Sequence, residues 1–323
     1  MLSIQIPDWV FQTPLHGVRL SQCADENRFD LKSEYKYKLR LGFPESILPP
    51  KTRPLWRLQD QGERYASTVE LFEEPERKLL QIECEGKGTF EFVGDEMNIT
   101  WQSEGTSFEH YLQTLGMSLW LELQGVLCIH ANAIATDVGV IGLIAPSQTG
   151  KTTLTAALAA RGMAMMTDDM MAVHQIEMGP KVFSGWPQLR MWPEIAQHFI
   201  ENVDDMQRVH KRFEKRLVKL SDQNSLTYSS KSGMLRSLYL LERVENNKAS
   251  ICIEVVTAAE SIECLLQNSM LADAYRPLGI ESARLKALAL ILGEVRVKRI
   301  TYPSGKERLT EVCEAIEADL LKR

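Results

Sequence analysis

The chain has 323 residues, 44% hydrophobic and 25% charged, with a formal net charge of -6. That is enough chain for two domains and a sizeable core, and the ordinary composition excludes large-scale disorder; the acidic balance argues against general nucleic-acid or anionic-membrane binding, and no apolar run reaches the roughly 18 residues of a membrane helix. Met1 to Asp8 carry no basic or apolar signal region, and the six cysteines form no C-x-x-C pair, so no signal peptide and no zinc site is expected and the cytoplasm is the default compartment.

The first hundred residues read as strands. Tyr35 to Leu41 alternate with period two, and further strand-like runs cover Tyr65 to Phe72, Leu79 to Cys84, Thr89 to Phe92 and Met97 to Trp101. Glu74-Pro75-Glu76, Gly86-Lys87-Gly88 and Gly94-Asp95 read as the turns between them, and Leu48 to Pro54 as a proline-rich loop. Short connections between alternating strands imply a mostly antiparallel β domain over residues 1–106, a scaffold or recognition unit whose open edge is suited to strand addition by an extended peptide.

At Ser107 the texture changes. Ser107 is placed to cap a helix with Tyr111, Leu112, Leu115, Leu119 and Leu123 at helical spacing, ended by Gly125. Val126 to Ala135 and Val138 to Ile144 then read as a hairpin of two strands. The second leads directly into Ala145-Pro146-Ser147-Gln148-Thr149-Gly150-Lys151-Thr152-Thr153, and Leu154 to Ala160 read as a helix.

Strand, tight loop and helix, with Gly-Lys-Thr at the helix start, is the order of a phosphate-binding P-loop. The helix N-terminus collects unpaired amides and the positive end of the dipole. Gly150 permits close backbone approach to phosphate, Lys151 adds a full charge, and Thr152 supplies a hydroxyl for Mg²⁺. Ser147 through Thr153 are therefore the expected nucleotide-binding residues. Ala145 stands where the usual pattern has glycine.

Beyond it, Met163 to Thr167 read as a strand ending in Asp168-Asp169. Adjacent residues of a strand point to opposite faces, so both acids serve one site only if the strand has ended there. One acid then holds Mg²⁺ and the other accepts a proton or orients water; a surface turn is the alternative reading. His130 lies in an apolar strand, where a hydrogen-bonded core histidine is the commoner case and a site residue the alternative. Arg190, between Trp186-Pro187 and Trp192-Pro193, is placed either to clamp a phosphate or to hold a loop. The bases from Arg208 to Lys219 read as a solvated helix face, with a basic surface near phosphate as the alternative. Met165, Met166, Met170 and Met171 read as core filler. Strands over Leu235 to Leu241, Ala249 to Val256 and Arg296 to Tyr302, and helices over Glu281 to Leu292 and Leu309 to Leu320, complete a domain over 107–323.

His130-Ala131, the loop 145–153, Ala160-Arg161-Gly162 and Thr167-Asp168-Asp169, in that order, resemble the kinase domain of the HPr kinase/phosphorylase superfamily. Leu189-Arg190-Met191-Trp192-Pro193 resembles a segment of its related proteins. The resemblance spans about 107–320 and concentrates in 128–193. It implies an α/β fold (α+β for the whole chain), a P-loop kinase domain following the N-terminal β domain, and ATP with Mg²⁺ as cofactors. It further implies Asp168 as the proton acceptor, Asp169 with Thr152 at the metal, and Lys151, His130 and Arg190 as catalytic partners. The segment that bacterial HPr kinases carry after the double aspartate is absent, as is their usual N-terminal domain, so HPr itself is not the expected acceptor, and a hexameric assembly is not carried over. A homo-oligomer remains open. Related kinases act on ribosomally made peptides, lasso-peptide precursors among them, which implies a serine hydroxyl of a peptide or small protein. A small-molecule kinase, a nucleotide-dependent switch and a non-catalytic binding module are the alternatives.

Overall fold

The computed structural model describes residues 6–23, 36–61, 66–103, 107–146, 149–210, 213–220, 226–246 and 249–322. Its first seven strands form one sheet: β1 (Val18–Gln22), β2 (Tyr37–Gly42), β3 (Trp56–Asp60), β4 (Ser67–Glu73), β5 (Lys78–Glu83), β6 (Gly86–Val93) and β7 (Glu96–Ser103). The order is β1-β2-β7-β6-β5-β4-β3. From β3 to β7 it is an antiparallel meander, while β1 and β2 add to it in parallel. Gly86 and Gly88 lie inside β6 and not in a turn, as the sequence suggested. Their missing β-carbons make room for Trp101 on the neighbouring strand.

Ser107 caps the next helix as expected, its hydroxyl accepting from Glu109 N at 3.2 Å. The helix runs through α1 (Phe108–Tyr111), a π-helical stretch (Leu112–Gly116) and α2 (Met117–Leu123), and Gly125 closes it at φ +79°. Its apolar face, with Leu112, Met117, Trp120 and Leu121, packs on Leu71, Leu80, Phe90 and Ile99 of the sheet in one cluster that also takes in Met170, Ala172 and Trp186. Strands before residue 107 and chain after it therefore share a core. Each fully buried Leu or Phe there contributes about 1.5–3 kcal/mol.

The second sheet contains β8 (Leu127–Ile129), β9 (Ala131–Thr136), β10 (Gly139–Ile144), β11 (Ala164–Thr167), β12 (Met171–Ile176) and β13 (Gly179–Val182). The anticipated strand 126–135 is broken at His130, where the chain passes from pairing with β12 to pairing with β10 and β11. Between β10 and β11 lies α3 (Lys151–Ala160). Next come β14 (Gln188–Met191), α4 (Pro193–Ala196), β15 (Arg208–His210), β16 (Phe213–Lys219), β17 (Gly233–Val244), β18 (Cys252–Val255), α5 (Ala258–Gln267), α6 (Glu281–Glu294), β19 (Arg296–Pro303) and α7 (Leu309–Leu320).

β17 is the spine of this region. It pairs in parallel with β10 on one side and β19 on the other, and its first residues pair with β13. Leu154 and Leu158 of α3 and Val312 and Ile316 of α7 cover one face of the sheet, and Leu265 of α5 with Leu288 and Ile291 of α6 cover the other. The result is a mixed α/β layer structure with β10 held centrally. All four methionines flanking the acid pair are fully buried, as their apolar setting suggested.

The described residues of the stretch 208–219 form the strands β15 and β16 and not a helix. β16 pairs with β14 and β15, and its side chains alternate, with Arg216 and Val218 buried. The many bases hid a period of two, and β14 needed a partner for its backbone groups. Among the described residues no helix is long and apolar enough to cross a membrane.

Candidate functional site

β10 ends at Ile144 and α3 begins at Lys151, so the glycine-lysine-threonine loop sits at a helix N-terminus beside the centre of the sheet. Gly150 is the N-cap at φ +102°, a conformation that side chains rarely adopt. The Tyr302 hydroxyl, from the end of β19, donates to the Thr149 carbonyl at 3.1 Å and braces the loop. Ser147 and Gln148 lie outside the described residues. Thr152 and Thr153, half-buried in the first turn, line a cavity of about 380 Å³ together with Gly150 and Lys151.

Lys151 is the most telling group in that cavity. Its side chain is 8% exposed, and its ammonium has no hydrogen-bond partner among the described residues. Burial lowers its pKa, and the charges of Asp169 and Asp168 resist that shift. A buried cation without a hydrogen bond is costly unless something else supplies the acceptors. Arg190, Lys215 and Arg243 line the same cavity, against the acids Asp169 and Glu194, so it favours a polyanion.

Asp168 and Asp169 stand in the tight turn between β11 and β12, where the Thr167 hydroxyl donates to the Met170 carbonyl at 2.7 Å. The strand has ended, but the two acids still part company. Asp169 adopts φ +63°. That conformation is held by Asn132, fully buried on β9, which accepts from Asp169 N at 3.0 Å and donates to the Thr155 hydroxyl of α3 at 2.9 Å. The Asp169 carboxylate therefore faces the loop: Oδ1 lies 4.0 Å from Lys151 Nζ and 3.7 Å from His130 Nε2, and Oδ2 accepts from Arg190 Nη1 at 2.9 Å. The 3.7 Å approach of His130 is longer than a hydrogen bond. Burial pushes the Asp169 carboxyl up, but His130, Arg190 and Lys151 together hold it well below the usual carboxylate range.

Asp168 lies on the other side of Arg190. Its Oδ2 accepts from the Arg190 backbone N–H at 3.0 Å, while Oδ1 is buried without a partner among the described residues. It borders a cleft of about 10 Å³ with His16, Gln113, Gln188 and Arg190, room for about one water. Burial and the neighbouring Asp169 charge raise its pKa to about 6, against the pull of Arg190 and Lys151. One pair of neighbouring acids thus carries two opposite shifts.

Arg190 divides the two spaces. It lies in a short strand, β14, and its Nη2 donates to Gln113 Oε1 at 2.7 Å. Gln113 belongs to the π-helical stretch packed on the N-terminal sheet, and also accepts from Gln188. Sequence reasoning missed both Gln113 and Asn132. The signal for Asn132 was present, a polar amide among apolar residues two positions after His130. Gln113 carried none, because a π-bulge has no sequence pattern of its own.

Among the described residues no group of three or more His, Cys, Asp or Glu is arranged to hold a metal by itself. Mg²⁺ needs less, since it keeps several waters and binds through one or two protein oxygens plus phosphate. Thr152 and Asp169, lining one cavity beside a lysine that has no hydrogen bond among the described residues, fit that requirement.

No protein-family model matches this chain, and no curated protein does. Among solved structures, the Hpr(Ser) kinase/phosphatase from Coxiella burnetii aligns with a TM-score of 0.34 and 13% sequence identity, covering 60% of this chain and 91% of that one. At that level of likeness the functional reading is left to the residues of the site.

Proposed function

We propose that this chain is an ATP- and Mg²⁺-dependent kinase that transfers the γ-phosphoryl group to a serine hydroxyl of a peptide or small protein. The observation that carries the reading is the buried Lys151 ammonium, at a helix N-terminus without a hydrogen bond among the described residues and only 4.0 Å from Asp169, in a cavity with more bases than acids. A triphosphate supplies the hydrogen-bond acceptors that Lys151 lacks and the negative charge that the excess of bases in the cavity calls for. Mg²⁺, held through Thr152 and Asp169, would neutralise charge on the transferring group.

The chain's own residues account for the remaining roles. Lys151, the loop amides and Arg190 position the β- and γ-phosphates, and Arg190 is itself fixed by Asp169 and Gln113 so that little reorganisation accompanies transfer. Environments that drive two acids apart mark the division of labour between them. Asp169, held ionised, suits the metal and phosphates. Asp168, raised to about 6, is the candidate proton acceptor. Because its carboxylate lies behind Arg190, it reaches the attacking hydroxyl only when the Arg190 side chain opens that cleft to the loop cavity. His130 beside Asp169 helps keep that carboxylate charged and oriented.

The phosphate chemistry rests on this geometry, and the acceptor class rests on the resemblance of residues 128–193. The test is incubation of the full chain with γ-labelled ATP, Mg²⁺ and candidate peptides, including those encoded beside its gene. Label appearing on serine by mass spectrometry is the expected result. Hydrolysis with no acceptor would favour a nucleotide-dependent switch, label on a sugar or nucleoside a small-molecule kinase, and absence of nucleotide binding would overturn the reading.

A further inference from the structure

A second cavity adjoins the loop cavity, and its chemistry is different. It measures about 450 Å³ and lies between α3, the segment after α4 and the start of α7. Ala157, Phe199, Leu309 and Cys313 make its walls largely apolar. The two spaces meet at Thr153 and Ile195, which line both. Lys306 ties them together from outside: its ammonium donates to the carbonyl of Glu194, a residue of the loop cavity, and lies 3.3 Å from His198 Nε2 on the rim of the apolar one.

We propose that this apolar cavity receives the base and ribose of the nucleoside triphosphate. The inference rests on the reading of the loop as a phosphate site. A nucleotide has the same two-part character, a polyanion joined to a flat and largely apolar ring. The loop cavity has two sides. On the side of His130, Asp169 and Arg190 stand the groups assigned to the transferring phosphoryl and its acceptor. The nucleoside must leave the other way, past Thr153, and that path opens directly on the apolar walls. Pockets of this size, mostly apolar with a few polar groups, are the usual form of a small-molecule site. His198, Lys306 and the Thr310 hydroxyl supply hydrogen-bonding groups at the edge for reading the base. Ala157 is small where a larger residue would fill the space: it sits on α3 one turn beyond Thr153.

The experiment measures binding of Mg·ATP and of inorganic triphosphate with Mg²⁺ to the full chain, comparing wild type with Ala157→Leu and Ala160→Leu. Both substitutions keep helix propensity and project into the cavity, and Ala160 is exposed, so its variant guards against misfolding. We expect affinity for ATP to fall roughly tenfold or more, the scale of losing a base contact, while affinity for triphosphate stays within about twofold. Equal responses to the two ligands in both variants, or no response at all, would overturn the base site and leave the phosphate reading standing. Failure of the wild type to bind either ligand would bring down both.

Discussion

Two ion pairs in this molecule, one buried on both sides and one with only its lysine buried, treat buried charge in opposite ways. Arg284 on α6 meets Glu122 on α2, Nε to Oε1 at 3.1 Å, with both side chains 3% exposed. Glu122 also accepts from Cys128 N at 2.8 Å, Arg284 donates to the Cys128 carbonyl at 3.2 Å, and the guanidinium lies 4.6 Å from the centre of the Tyr275 ring. That pair is nearly closed, with only Nη1 left over. Lys151 and Asp169, at 4.0 Å, leave the ammonium without a hydrogen bond. The first pair stitches a helix of the shared core to the second sheet. The second leaves its ammonium without a hydrogen bond, which on the proposed reading keeps the charge available to a ligand.

Removing one member of each pair should therefore produce opposite results. Arg284→Met should cost about 3–5 kcal/mol in denaturant unfolding, because Glu122 is left buried and uncompensated, and Glu122→Leu added to it should restore most of the loss. Lys151→Met should leave unfolding unchanged or slightly improved while cutting phosphoryl transfer by about 10³-fold. A large stability loss at Lys151, or near-normal transfer, would erase the distinction.

The acid pair sharpens the comparison. Asp168→Asn should slow transfer by about 10²-fold with nucleotide affinity largely kept. Wild-type kcat/KM should rise with pH through about 6 as Asp168 loses its proton, and the variant should lack that limb. A parallel loss of nucleotide binding would make Asp168 a binding residue instead.

A third kind of buried group is kept neutral. His16 and His174 meet where the N-terminal segment docks on the second region, His174 Nε2 lying 2.8 Å from the His16 carbonyl. Burial lowers both, helped at His16 by His174 and at His174 by Lys36 and Lys181 and opposed there by the hydrogen bond to His16, to about 3 and about 4 respectively. Their folded pKa values lie below the unfolded value, so their contribution to stability is present above about 6.5 and is lost as pH falls towards those values. Unfolding measured from pH 7 to about pH 5.5 should lose roughly 1 kcal/mol per histidine, and His174→Gln should flatten the profile. A flat wild-type profile would show that the seam does not exclude the proton.

Much of the fold was legible because its signals are local. Ser107 and Gly125 bound their helix, α7 spans Leu309–Leu320 as its spacing indicates, and the strand, loop and helix around Gly150 follow in the expected order. Misreadings came where neighbours outvote local pattern. Gly86 and Gly88 look like turn residues, but Trp101 needs the space they leave. The bases of 208–219 resemble a solvated face until β14 pairs with them, after which Lys215 lines the loop cavity and Arg216 is buried. β1 and β3, at the edges of the first sheet, escaped notice because an edge strand needs little alternation to be stable.

By itself the sequence determined that Gly150, Lys151 and Thr152 fall within one loop and one helical turn, the grouping on which the proposed phosphate site rests. It determined too that two acids stand at a strand end. Which acid faces the lysine was a tertiary decision. Neighbouring side chains diverge, and the backbone at Asp169 turns only because Asn132, on another strand, holds its amide. Tertiary structure likewise brought Gln113 and His16 from far along the chain to the borders of the same cleft, because burying the helix on the first sheet and the N-terminal segment on the second leaves them no other place.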